Sequence, residues 1–110
     1  MNDMVSDADV ERALDWLRDN AGDIGEAKAA AIRAELMTKH IKAIEMQRHN
    51  EMSVSAQERE ALASKAYLDA LTKEAEAAGA YEKMKSLREA AALKIEVWRS
   101  ASANYRSMKI

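Results

Sequence analysis

The chain has no proline, no phenylalanine and no cysteine, and only three glycines in 110 residues. Without proline the commonest helix breaker is missing, and between Gly25 and Gly79 no glycine punctuates the backbone either. Without cysteine there are no disulfides and no thiolate metal sites, which fits a reducing compartment. Aromatic residues make up only 5% of the chain, so few bulky groups are on hand to fill a core. No run approaches the ~20 consecutive apolar residues that cross a bilayer. Residues 1–6 lack the basic and apolar segments of a secretory signal. Three glycines so far apart make no phosphate-cradling loop.

What is present is mostly alanine, leucine, methionine, glutamate, lysine and arginine, whose side chains lose least on entering a helix. The expected class is all-α, a long-helix or coiled-coil protein. Seventeen basic and 19 acidic residues nearly cancel, so the total charge demands neither nucleic acid nor a membrane. The distribution says more. Residues 1–30 carry eight acids (Asp3, Asp7, Asp9, Glu11, Asp15, Asp19, Asp23, Glu26) against three bases, whereas residues 79–110 carry seven bases, Lys109 included, against three acids.

Ser6 or Asp7 starts the first helix, with acids in the first turn where the helix dipole favours them. Val10, Leu14, Leu17, Ala21 and Ile24 follow at steps of 4, 3, 4 and 3, a 3.5-residue period that reads as a coiled-coil seam. Ile32, Leu36, Ile41 and Ile44 continue an apolar face on a shifted stripe. Gly22 and Gly25 mark a bend or a close approach of another helix. The polar patch 49–55 ends the arm. Ser55 and Glu58 form an S-x-x-E capping box for a short helix over 56–63, and Ser64 is a second N-cap. Leu68, Leu71, Ala75 and Ala78, then Met84, Leu87, Ala91, Ile95, Trp98, Ala101, Tyr105 and Met108, give the second stripe.

The expected architecture is therefore one domain, 1–110, a long antiparallel helical hairpin with arms at about 7–49 and 65–107 and a connector at 50–64. Equal arms place Trp16 opposite Trp98 and the acidic end along the basic end. The core and interface candidates are Leu14, Trp16, Leu17, Ile24, Leu87, Ile95, Trp98 and Tyr105. A core this thin is marginal for an isolated domain, so self-association as a homodimer or helical bundle is expected.

Chemistry finds few footholds. His40 and His49 are nine residues apart, and Glu45 with His49 at i, i+4 supplies two ligands where a metal site needs more. The carboxylates alternate with Lys and Arg as on solvated helix faces. No catalytic residue, metal or cofactor is expected. Lys83, Lys85, Arg88, Lys94, Arg99 and Arg106 are the candidate contacts to nucleic acid or to a protein partner, with Tyr105 available for stacking. The acidic arm beside them weighs against nucleic acid.

Three stretches carry a resemblance: residues 11–20 (ERALDWLRDN), 53–64 (SVSAQEREALAS) and 95–108 (IEVWRSASANYRSM). They cover about a third of the chain, include both tryptophans, and resemble a family of small helical proteins of tailed bacteriophages and prophages. That family supplies no catalytic residues, and its members often carry proline where this chain has Lys65. The resemblance implies a phage accessory protein made in the host cytoplasm, acting beside recombination or replication proteins. The expected function is a non-enzymatic interaction protein whose partners are itself and a phage or host protein. Inhibition of a host nuclease or defence complex, and direct nucleic-acid binding, are the alternatives.

Overall fold

The computed structural model describes residues 5–108; Asp3 and Lys109, counted among the terminal charges, lie outside the described residues. The chain is all-α. Three helices follow one another, α1 (Asp7–Gln47), α2 (Val54–Leu62) and α3 (Lys65–Met108), with no strand among the described residues. Contacts divide them into two compact units. One joins the described residues through Gly25 with those from Lys83 onward; the other is Glu26–Glu82. In each, a segment of α1 lies antiparallel to a segment of α3, and the second unit closes as a helical hairpin through α2.

Each start has a local cause. Ser6 caps α1 reciprocally: its hydroxyl accepts from the Asp9 amide at 3.1 Å, and its own amide donates to the Asp9 carboxylate at 3.1 Å. Ser53, in an extended conformation, caps α2 by accepting from the Ala56 amide. The expected Ser55–Glu58 box is therefore not the cap, and α2 begins at Val54. Glu58 is engaged elsewhere, by Lys42 of α1 at 3.0 Å. Ser64 caps α3 as expected, accepting from the Tyr67 amide at 3.1 Å while its hydroxyl donates to the Ala61 carbonyl.

The inward face of α1 runs Val10, Ala13, Leu17, Asn20 and Ile24, then Ala27, Ala31, Ala34, Thr38 and Ile41, at unbroken alternate steps of 3 and 4. On α3 the inward positions are Tyr67, Ala70, Ala77 and Tyr81 in one unit and Met84, Ala91, Ile95 and Trp98 in the other. The buried set is small in every sense: Val10, Ala13, Ile24, Thr38, Ala61, Ala70 and Ala91. The expected stripes shared Val10, Leu17, Ile24, Ala91, Ile95 and Trp98 with this face, but Leu14, Ala21, Leu68, Leu71 and Leu87 lie outside it and are exposed. Alanine wins these positions because methyl groups let two backbones approach closely. Thr38 shows how closely, since its Oγ1 lies 3.0 Å from the Ala34 carbonyl of its own helix and 3.4 Å from the Ala70 carbonyl of α3. No buried side-chain polar atom among the described residues lacks a partner.

The register differs from the expected one. Trp98 donates its indole N–H to Asp7 at 2.7 Å, not facing Trp16. Trp16 borders instead a groove with Leu87, Ala90 and Ala91. Asp7 and Trp16 are nine residues apart, ~13 Å along a helix. Within the Glu26–Glu82 unit, α2 is tied to the end of α1 by the Lys42–Glu58 pair, and Ala61 of α2 has 0% exposure. The last turns of α1 are taken up by α2, so α3 begins beside Ile41 rather than beside Gln47, with Ile41 and Ala66 lining one groove.

Two outcomes follow. The amide of Ser6, then its hydroxyl, then the Arg12 guanidinium hold the Asp9 carboxyl below its ordinary range. A depressed folded-state pKa stabilises above the unfolded carboxylate pKa of about 4 and is lost as pH falls through the folded value. The α1 N-terminus is expected to fray under acid, and Asp9→Asn to flatten that dependence, read by amide exchange of residues 7–12 from pH 6 to 2 (roughly the carboxylate range). Gly22 and Gly25 have open space where a Cβ would stand and no left-handed backbone, so neither serves a close approach in this chain. Replacing each with Ala is expected to raise denaturant stability by ~0.5–1 kcal/mol.

Candidate interaction surface

With alanine taking the seam, the large apolar side chains have gone to the outside. In the Glu26–Glu82 unit, Ile32 (50% exposed), Leu36 (59%), Met37, Ile44, Leu68 and Leu71 are all open to solvent; in the other unit Leu14, Leu87, Leu93, Val97 and Tyr105 are. On α1 of the Glu26–Glu82 unit they are not scattered. Ala29, Ile32 and Leu36 step 3 and 4 along the side opposite the seam, and with Arg33, Met37 and His40 they border a shallow groove of about 520 Å³. A second groove of about 440 Å³ lies in the valley between α1 and α3, floored by Ala30, Ala34, Ala66 and Ala70 and edged by Met37 and Ile41. Arg33 and Met37 border both, standing between the two grooves on α1.

The other unit has smaller relief. One groove of about 300 Å³ holds Trp16 and Leu87 between Arg12 and Lys94, and another of about 310 Å³ holds Trp98 and Tyr105 with Val5 and Arg106. Of the sequence-derived core and interface residues, Ile24 is buried, Trp16, Leu17, Ile95 and Trp98 are half-buried, and Leu14, Leu87 and Tyr105 are exposed. The structure thus splits that set between a seam and an outer surface.

The acidic and basic ends do share one unit, but among the described residues no ion pair joins α1 to α3. The pairs are local, Asp9–Arg12, Asp15–Arg18, Asp19–Arg18, Glu45–Arg48, Lys65–Asp69 and Glu96–Arg99, with Lys42–Glu58 alone bridging two helices. A polar link between α1 and α3 in this unit is Trp98 to Asp7. Of the six candidate cations, Lys85, Arg88, Arg99 and Arg106, at steps of 3, 11 and 7, share one edge of α3. Lys83 and Lys94 fall on another side, Arg99 is engaged by Glu96, and Lys85 is half-buried. The six form no single basic stripe. Glu45, considered with His49 as a ligand pair, accepts instead from Arg48 at 2.9 Å, and the described residues contain no cluster of three metal-ligating side chains. None of the described helices is long and apolar enough to cross a membrane.

No family model, curated protein or solved structure matches the chain.

Sequence reasoning found the exposed leucines and isoleucines but read them as seam. It passed over Ala13, Thr38, Ala61 and Ala70, which carry the contact. The signal was the unbroken 3–4 spacing from Val10 to Ile41, hidden because Asn20 and Thr38 occupy two of its positions. Asn20 is accommodated by its own helix, its side-chain amide donating to the Trp16 carbonyl at 2.9 Å.

The two residue classes are expected to respond oppositely to substitution. Ala70→Leu overpacks the seam and should cost ~1–3 kcal/mol. Leu36→Ala, on the open face, should change stability by less than ~0.5 kcal/mol. Denaturant titration of both variants at low protein concentration provides the check.

Proposed function

We propose that the chain is a non-enzymatic interaction protein, encoded by a tailed phage and acting through protein contacts beside recombination or replication proteins in the host cytoplasm. The observation that supports this reading is the inversion of the usual placement of side chains. Alanine occupies the contact between helices, while Ile32, Leu36, Met37, Leu68 and Leu93 are presented outward. Exposed apolar side chains gathered along a helix are what a docking protein uses, as anchors at i, i+3, i+4 and i+7 steps. Phage origin is supported by the resemblance of residues 11–20, 53–64 and 95–108 alone. Lys83 and Lys94 lie on a different side of α3 from the other four cations, Arg99 is engaged by Glu96 and Lys85 is half-buried, which favours a protein partner over a nucleic acid, whose backbone asks for an aligned and open basic track.

The test is a pull-down from host lysate with and without the other early phage proteins, using the wild-type chain and a Leu36→Lys/Leu68→Lys variant as baits. The expected result is a recombination or replication protein retained by the wild type and lost from the variant. Retention of a host nuclease or defence complex would redirect the role to inhibition. Retention of nucleic acid alone, abolished by added nuclease and insensitive to the substitutions, would overturn the reading.

A further inference from the structure

The outer ridge of α1 in the Glu26–Glu82 unit is complementary to itself in side-chain size and in the charges that flank it. We propose that Ala29, Ile32 and Leu36 form a self-association surface on which a second copy of the chain docks with its own α1 antiparallel, centred on Ile32. This deepens the interaction reading above, on which it rests for taking exposed apolar side chains as contact surface, and names one occupant.

The geometry comes from spacing. On an α-helix, residues at alternate steps of 3 and 4 lie along one stripe, and two such stripes interlock as knobs into holes. Laying the ridge against a copy of itself in the opposite direction brings Ile32 to Ile32. Ala29 of each copy then meets Leu36 of the other, a small residue opposite a large one twice over, which is what close interdigitation requires. A parallel arrangement sets Leu36 against Leu36 and Ala29 against Ala29, leaving one crowded layer and one gap.

Charge selects the same arrangement. Lys28, Glu35 and Lys39 flank the ridge on one side, Glu26, Arg33 and His40 on the other. Lys28, Glu35 and Glu26 have no ion partner among the described residues. In the antiparallel pairing Lys28 of each copy lies beside Glu35 of the other, and Glu26 of each beside His40 of the other. The like-charge approaches are Arg33 with its counterpart and Lys39, one turn beyond Glu35, with Lys28 of the other copy; side chains of that length turn their charges out to water while their stems cover apolar surface. The parallel pairing instead brings Lys28 beside Arg33. Antiparallel pairing therefore satisfies the flanks symmetrically, as a two-fold interface must. A ridge of about two turns buries less than the roughly 1,200 Å² of a standard stable complex, so the association is weak, concentration-dependent and salt-sensitive.

The experiment is sedimentation equilibrium on the full chain and on three variants, K28E, E35K and the double exchange K28E/E35K. All alter exposed side chains, and circular dichroism verifies that each stays helical. The wild type is expected to dimerise by about 100 µM, in the range of weak interfaces. Each single reversal sets like charges together in two symmetric places and should weaken association by roughly fivefold or more, while the double exchange restores it. Orientation is read from introduced cysteines, which are the sole cysteines in these variants. Ile32→Cys alone should cross-link on oxidation, and a mixture of Ala29→Cys and Leu36→Cys chains should cross-link to each other, whereas neither of those two should link to itself. A monomeric wild type, a dimer indifferent to the charge reversals, or self-linking Leu36→Cys chains would overturn the proposal. A chain that stays monomeric yet retains a partner in the pull-down would refute self-pairing alone and leave the interaction reading standing.

Discussion

Close approach of two helices through methyl groups is the constraint on which the rest of this structure depends. Ala13, Ala91, Ala34 and Ala70 occupy positions that in an ordinary coiled coil belong to leucine and isoleucine. A methyl group buries little area, so each contact contributes little hydrophobic free energy. The compensation is proximity: with no bulk between the helices, Thr38 reaches toward a carbonyl on the opposite backbone, and dispersion contacts extend along the seam. The same constraint sets how α2 sits, because Ala61 is fully buried where a larger side chain would lift the short helix away from α1.

From that choice the surface follows. A chain with 48% hydrophobic residues cannot hide all of them behind a seam so rich in alanine, so Leu14, Ile32, Leu36, Ile44, Leu68, Leu71, Leu87 and Leu93 stand on the outer faces. On α1 of the Glu26–Glu82 unit they gather into a ridge bordered by two grooves, and on α3 Leu68 and Leu71, and Leu93 and Val97, stand out at steps of 3 and 4. Local ion pairs such as Arg99–Glu96 and Lys65–Asp69 dress the remaining exposed surface. At such exposure they add about 0.2–0.5 kcal/mol each and do not determine the packing.

The helical content and the ends of the long helices were legible because propensity and capping are local. Absence of proline, acids in the first turn and Ser64 ahead of Lys65 each act within a turn or two. The N-cap of α2 was misplaced by two residues because Ser53 and Ser55 offer the same hydroxyl, and the carboxylate that distinguished them, Glu58, is held by Lys42 from another helix. The seam was misread for a related reason. Hydropathy weights Leu14 and Leu68 above Ala13 and Ala70, whereas the packing is decided by how near two backbones come, which no single residue reports. The register failed with it, since within the Glu26–Glu82 unit α2 is tied to Lys42 and α3 starts beside Ile41, which equal arms do not anticipate. The exposed ridge carried its signal openly, in the 3 and 4 steps of Ala29, Ile32 and Leu36, but became a candidate surface only once the seam was known to lie on the opposite side.

The central claim is that alanine, not leucine, forms the contact between α1 and α3. Its most direct test is a methyl-resolved nuclear Overhauser spectrum of the chain labelled at alanine, threonine and leucine methyls, recorded at a concentration where it is monomeric. The account predicts cross-peaks joining Ala13 to Ala91 and Ala34 or Thr38 to Ala70, with none linking the Leu14 or Leu68 methyls to the opposite helix. Cross-peaks from Leu14 to Leu87 across the helices, with Ala13 and Ala70 methyls showing only contacts within their own helices, would contradict it.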